Sequence, residues 1–203
     1  LDLDQREVAL HMRGPIPISS ECLISLFAQT LAQSGRPADG PDGVQQLRAE
    51  HDLPTIETSR HLVFTGNPGT GKTTVARLLS PIYRTLDVVD RGHLVETDRA
   101  DLVAGFVGQT ATKTEAVLES ALGGTVLIDE AYALARGGEN DFGREAIDTL
   151  VKFMEDHRDD LAVVVAGYPN EMQEFIDTNP GLQSRFARTL EFPDYTTDEL
   201  VRI

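Results

Sequence analysis

The stretch Gly66-Asn67-Pro68-Gly69-Thr70-Gly71-Lys72-Thr73 constrains the fold of this 203-residue chain more than any other part. Its glycines let the backbone turn without Cβ clashes, so that N–H groups can point inward around an anion. The apolar run His61–Thr65 precedes it and a helical pattern, Thr74–Leu79, follows. Strand, glycine-rich turn, Lys-Thr and helix together match G-x-x-x-x-G-K-[ST], the loop that cradles nucleotide phosphates. Lys72 offers a charge to the β- and γ-phosphates, and the Thr73 hydroxyl is a ligand for Mg²⁺. A helix opening at Thr74 turns its positive end toward the same phosphates. The expected ligands are therefore ATP and Mg²⁺, bound by Gly66 through Thr74. Pro81 should kink or end this helix early.

The rest of the chain fits that unit. His93–Glu96, Thr125–Ile128, Leu161–Ala166 and Thr189–Phe192 read as further strands. A helical pattern around Ala116–Leu122 ends at Gly123-Gly124. Ile147, Leu150, Val151 and Met154 follow the i, i+3, i+4, i+7 rule of an amphipathic helix. Strands alternating with helices predict a mostly parallel sheet covered on both faces, and ligands bind at the carboxyl ends of such strands. Thr125–Ile128 ends in Asp129-Glu130. An apolar strand does not need two acids at its tip for stability. Asp129 can hold Mg²⁺ directly or through water, and Glu130 can orient and deprotonate an attacking water. Nucleotide binding alone needs only the first acid, so the pair points to turnover. After Leu161–Ala166, Tyr168 and Asn170 are the polar residues placed to reach between these acids and a γ-phosphate. Arg185, on an exposed-looking turn before the last strand, is a candidate arginine finger for a neighbouring subunit.

Composition narrows the partners. The 33 acidic and 18 basic residues leave a net charge of −15, which disfavours non-specific binding to a phosphate backbone. Cys22 is the only cysteine, no apolar run reaches the roughly 20 residues of a membrane span, and no signal peptide is visible. A cytoplasmic location is the expectation. The five histidines have no metal-ligand spacing. Asp141-Phe142-Gly143 and His157-Arg158-Asp159 spell protein-kinase motifs, but in reversed order, and Val164 stands where the kinase loop has asparagine. Residues 1–34 read as two helical pieces, and residues 34–43 as a flexible linker rich in glycine and proline.

The motifs Gly66–Thr73, Leu127-Ile128-Asp129-Glu130-Ala131-Tyr132-Ala133-Leu134, Asp141-Phe142-Gly143, Ala166-Gly167-Tyr168 and Ser184-Arg185-Phe186 resemble, in order, those of the CbxX/CfxQ family of AAA+ ATPases. That family includes red-type Rubisco activases and the EccA ATPases of type VII secretion. The resemblance covers residues 44–203. It implies an α/β P-loop AAA+ core whose parallel five-stranded sheet has the order 5-1-4-3-2, flanked by helices, behind the short helical N-terminal segment 1–43. It also implies a ring, usually a homo-hexamer, that hydrolyses ATP to remodel or thread a protein partner. By the same resemblance Arg185 is the arginine finger, with Arg188 the next candidate. Gly105-Phe106-Val107-Gly108 resembles the family's pore loop, in which an aromatic residue grips substrate; the competing reading of Phe106 is a plug in the core. The chain stops at Ile203, where Thr196 and Glu199 form a capping box, so the helical lid with its second sensor arginine is expected to be missing. No adenine-contacting segment is recognisable in residues 43–58. The rival functions are a nucleic-acid remodeller of clamp-loader or helicase-loader type and a nucleotide-gated scaffold with little hydrolysis.

Overall fold

The computed structural model of the protein describes residues 60–85, 88–106, 108–137 and 141–197. The expected helical segment 1–43 and the capping box through Glu199 lie outside them. In chain order the described elements are β1 (Leu62–Gly66), α1 (Lys72–Thr85), β2 (Leu94–Thr97), α2 (Arg99–Leu102), α3 (Thr110–Ser120) and β3 (Thr125–Ile128). A 3₁₀ turn (Ala131–Ala135), α4 (Gly143–Asp156), β4 (Ala162–Gly167), α5 (Pro169–Asp177), α6 (Pro180–Arg185) and β5 (Thr189–Phe192) follow.

The five strands form one sheet in the order β2-β3-β4-β1-β5, and every pairing is parallel. This is the 5-1-4-3-2 order that the family resemblance implies. β1, β3 and β4 are fully buried, as strands covered on both faces must be. Alternate residues supply the two layers. Leu62, Phe64, Leu127, Val164 and Leu190 pack with Val75, Leu79 and Tyr83 of α1 on one face. Val63, Val126, Ile128, Val163 and Val165 pack with residues of α3, α4, α5 and α6 on the other. At the amino end of β1, His61 accepts the Val163 N–H on Nδ1 at 3.1 Å. Burial, with Arg185 and Arg60 nearby, pushes its pKa down to about 4, so the ring is neutral and keeps that acceptor.

Two expectations are corrected. α1 does not stop at Pro81 but continues to Thr85. The proline ring is on the exposed side, while Leu79, Ser80 and Tyr83 around it are buried, so packing outweighs the lost backbone bond. The segment before β5 is not an exposed turn. It is the short helix α6, with Pro180 at its start and the Asn179 side chain accepting the Gly181 N–H at 2.7 Å. An asparagine cap followed by proline is a helix start, and Leu182, fully buried, anchors it to the core.

Candidate active site

The parallel order brings the carboxyl ends of β1, β3 and β4 side by side, and the candidate residues converge there. The phosphate loop leaves β1 at Gly66, and α1 begins at Lys72. Gly66 pairs with Phe192 of β5, and a Cβ on Gly66 would lie 2.4 Å from the Phe192 carbonyl oxygen. Only glycine permits that approach. Gly69 and Gly71 have φ of 79° and 93°, which is backbone that L-residues with side chains avoid.

The loop is held from within and from outside. Lys72 Nζ donates to the carbonyls of Gly66 and Asn67, each at 2.8 Å, and Thr70 Oγ1 donates to Asn67 O at 2.8 Å. From the chain just after β5, Asp194 accepts the Asn67 side-chain amide on both carboxylate oxygens at 2.9 Å. The Tyr195 hydroxyl donates to Thr70 O at 3.1 Å. Burial pushes the Lys72 pKa down, and the nearby carboxylates of Asp129 and Glu130 pull against that shift.

A cleft of ≈ 330 Å³ runs from the loop to the acids. Pro68, Gly69, Lys72, Thr73 and Thr74 line one side, and Asp129, Glu130, Gly167 and Tyr168 line the other. Tyr168, one of the two polar candidates after β4, stands on this wall, whereas Asn170 lies exposed in the first turn of α5. The side chains of Asn67 and Thr70 are engaged within the loop and with Asp194.

Glu130 has φ 47° and ψ 41°, and it is the one non-glycine residue with positive φ among the described residues. Such a conformation costs on the order of 1 kcal/mol or more, and persists only when surrounding contacts over-determine it. Three contacts do so here. Asp129 Oδ1 accepts the Glu130 N–H at 3.0 Å. Glu130 O accepts the Ala133 N–H at 2.8 Å, closing the 3₁₀ turn. Arg99 Nη1 donates to Ala133 O at 2.7 Å. The same guanidinium pairs with Asp141 through Nη2 at 2.6 Å. Arg99 and Asp141, with Asp194 and Tyr195, are site residues that the motif reading missed. Asp98, the N-cap of α2, was the local signal near Arg99; Asp141 was visible only as part of Asp141-Phe142-Gly143.

The arrangement fits Mg²⁺ with a nucleotide triphosphate. The glycine cradle admits no side chain at Gly66, Lys72 supplies the counter-charge, and Thr73 and Asp129 face the same cleft with hard oxygen donors. Thr73 and Asp129 are the residues that would hold Mg²⁺. When bound, the ion neutralises charge on the β- and γ-phosphates. Glu130, on the wall facing the loop, is placed to take a proton from water at its carboxylate.

The two remaining candidates lie apart from the cleft. Arg185 ends α6, its side chain 21% exposed, and pairs with Glu155 of α4 at 2.6 Å. Phe106 is 72% exposed, the exposed large hydrophobic among the described residues. In this chain it is not a core plug. No described helix is long and apolar enough to cross a membrane.

The family model described as "ATPase family associated with various cellular activities (AAA)" matches residues 62–194. Stage V sporulation protein K of Bacillus subtilis is 52% identical over 160 residues, covering 79% of this chain and 50% of that protein. Protein CbbX of Cereibacter sphaeroides is 49% identical over 160 residues, 78% of this chain and 50% of its own length. ESX-3 secretion system protein EccA3 of Mycobacterium tuberculosis is 48% identical over 161 residues, 79% of this chain and 26% of its own. The chain thus spans half or less of the length of these relatives. Among solved structures, the FIGL-1 AAA domain in complex with ADP has a TM-score of 0.52 at 17% identity, over 81% of this chain and 57% of that one, a likeness of fold.

Proposed function

The chain belongs to the AAA family of ATPases, in its CbxX/CfxQ branch, and on that premise we propose that it is the motor core of an enzyme that hydrolyses ATP to remodel a protein partner. One observation carries this reading: Lys72 and Thr73 share a single cleft with Asp129 and Glu130, and Glu130 is held in a strained conformation. Strained residues cluster at active sites, ligand clamps and switch regions, and the residue strained here carries the second acid, which binding alone does not need. The acidic net charge favours a protein partner over nucleic acid.

The finer parts of the proposal rest on the family. The core spans residues 44–203 behind the segment 1–43 and assembles as a cytoplasmic homo-hexameric ring in the full-length protein. Gly66 to Thr74 bind ATP, Thr73 and Asp129 hold Mg²⁺, and Glu130 activates water. Arg185 reaches the neighbouring subunit's nucleotide. In this structure its guanidinium, with the side chain 21% exposed, pairs with Glu155 and donates to Gly181 O at 3.2 Å, contacts it exchanges for the neighbour's nucleotide in the ring. Phe106 faces the pore and grips the partner, because a large, stiff side chain buries much area with little entropy lost. Type VII secretion and Rubisco activation, the settings of family members, are the candidate settings for this chain.

Calorimetry on Lys72→Ala tests the binding half of the proposal. The phosphate charge loses its main side-chain counter-charge, so tight ATP binding should disappear. Undiminished affinity would remove the phosphate loop from the account.

A further inference from the structure

We propose that Arg99, clamped by Asp141, is a positioning residue for hydrolysis, holding the turn that fixes the Glu130 carboxylate. The proposal rests on the reading of Glu130 as the residue that activates water. Its starting point is the strain at Glu130. Asp129 and Ala133 contacts hold the residue locally, but both belong to the same short turn. Burial of Ala131, Tyr132 and Leu134 anchors the apolar side of the turn in the core, and its backbone carbonyls need a polar tie from another element.

Arg99 supplies that tie. It opens α2, directly after Asp98 at the carboxyl end of β2. Its Nη1 holds Ala133 O, and Ala133 N–H in turn holds Glu130 O. Its Nη2 holds Asp141 Oδ1, which also accepts the Gly143 N–H at 2.9 Å. One planar guanidinium therefore joins the tip of β2, the turn after β3 and the start of α4. Lysine has no such fork. Hydrogen bonding by Arg99 and by the Gly143 N–H, against a smaller burial effect, holds the Asp141 carboxyl below its usual pKa, so the acid stays ionised for the clamp.

The packing around the clamp is equally specific. A Cβ on Gly143 would sit 2.0 Å from Leu134 O in the 3₁₀ turn and 2.8 Å from Arg99 Nη1, so the backbone of α4 seats directly on both. A second cleft, ≈ 530 Å³, is lined by Arg99, Gly105, Asp129, Glu130 and Ala133. Arg99 thus borders the same cleft as the acids and as Gly105, the neighbour of Phe106.

Displacing a catalytic group by about 1 Å can cost roughly 10²-fold in rate. In the full-length protein, Arg99→Ala should lower kcat for ATP by about that factor. KM and the affinity for a non-hydrolysable ATP analogue should stay within about twofold, because no phosphate-loop contact changes. Arg99→Lys should behave nearly as badly, whereas Asp141→Asn, which keeps an oxygen acceptor for Arg99 and for the Gly143 N–H, should retain most of the parent rate. The decisive comparison is Arg99→Ala added to Glu130→Gln. If Arg99 acts through Glu130, the double variant is no slower than Glu130→Gln alone. Multiplying losses, an unchanged kcat in Arg99→Ala and Arg99→Lys, or a loss confined to KM would each overturn the proposal. If Arg99→Ala does not fold, the same cycle run with Arg99→Lys decides it. A parent protein that binds ATP without turning it over would instead refute the hydrolytic reading beneath it.

Discussion

The phosphate loop and the acidic turn face each other across one cleft, yet they hold their unusual backbone in opposite ways. The loop places its positive φ angles on Gly69 and Gly71, where they cost little. The turn places its positive φ on Glu130, where a side chain is needed and the conformation is strained. The loop closes on itself through Lys72 and Thr70 and is braced from the chain after β5 by Asp194 and Tyr195. The turn is tied by Arg99, the first residue of α2, and by Asp141, just before α4. On the proposed reading, binding rests on conformations that glycine adopts freely, while hydrolysis rests on a strained residue that groups from other elements help to hold. Damage to the two regions should separate accordingly, affinity from rate.

The largest expected effect comes from outside both regions. Arg185→Ala should lower hydrolysis by about 10³-fold or more, the usual worth of an arginine finger, while each subunit keeps its ATP affinity. Mixing this variant with Lys72→Ala in full-length rings should restore part of the activity through composite sites. Mixed rings verified by native mass spectrometry but lacking any rescue would place Arg185 in a structural role with Glu155.

A matched pair of glycine substitutions breaks the comparison more finely. Gly66→Ala drives a methyl against the Phe192 carbonyl, and Gly143→Ala drives one against the Leu134 carbonyl. Each overpacking costs on the order of 1–3 kcal/mol. The first should weaken ATP binding at least about tenfold; the second should spare binding and lower kcat. Titration calorimetry and steady-state phosphate release on both variants give the answer, and identical profiles would mean that the two regions are not separable.

How much of this was legible in the sequence follows the same division. The strand order came only from the family resemblance, whereas the five strands and the cleft at their carboxyl ends could be read from Gly66–Thr73, the Asp129-Glu130 tip and the alternating pattern. These are local signals of backbone conformation. The Pro81 reading failed because buried Leu79 and Tyr83 on either side of it hold the helix. The exposed turn at Arg185 failed because Asn179-Pro180 caps and starts a short helix that Leu182 anchors in the core. The clamp could not be read at all, since Arg99 and Asp141 lie 42 residues apart and no spacing rule links them. The same holds for Asn67 and Asp194, 127 residues apart. Pairings of that kind exist only once the sheet has formed.

The smallest expected effect tests the remaining surface feature. Phe106→Ala should leave the thermal midpoint nearly unchanged, as exposed substitutions do within about 0.5 kcal/mol, and should leave basal hydrolysis intact. Work on the protein partner should fall. A core phenylalanine would instead cost about 3–5 kcal/mol on truncation, and a large drop in midpoint would return Phe106 to packing.

The most direct test of the central claim, one cleft with separable binding and hydrolysis, is Glu130→Gln in the full-length protein. Glutamine keeps the size and a hydrogen bond but cannot take a proton from water. ATP affinity by calorimetry should equal that of the parent, while phosphate release should fall by about 10²–10⁴-fold, the usual contribution of a general base. Parent-rate turnover by this variant, or loss of ATP binding in place of turnover, would contradict the account.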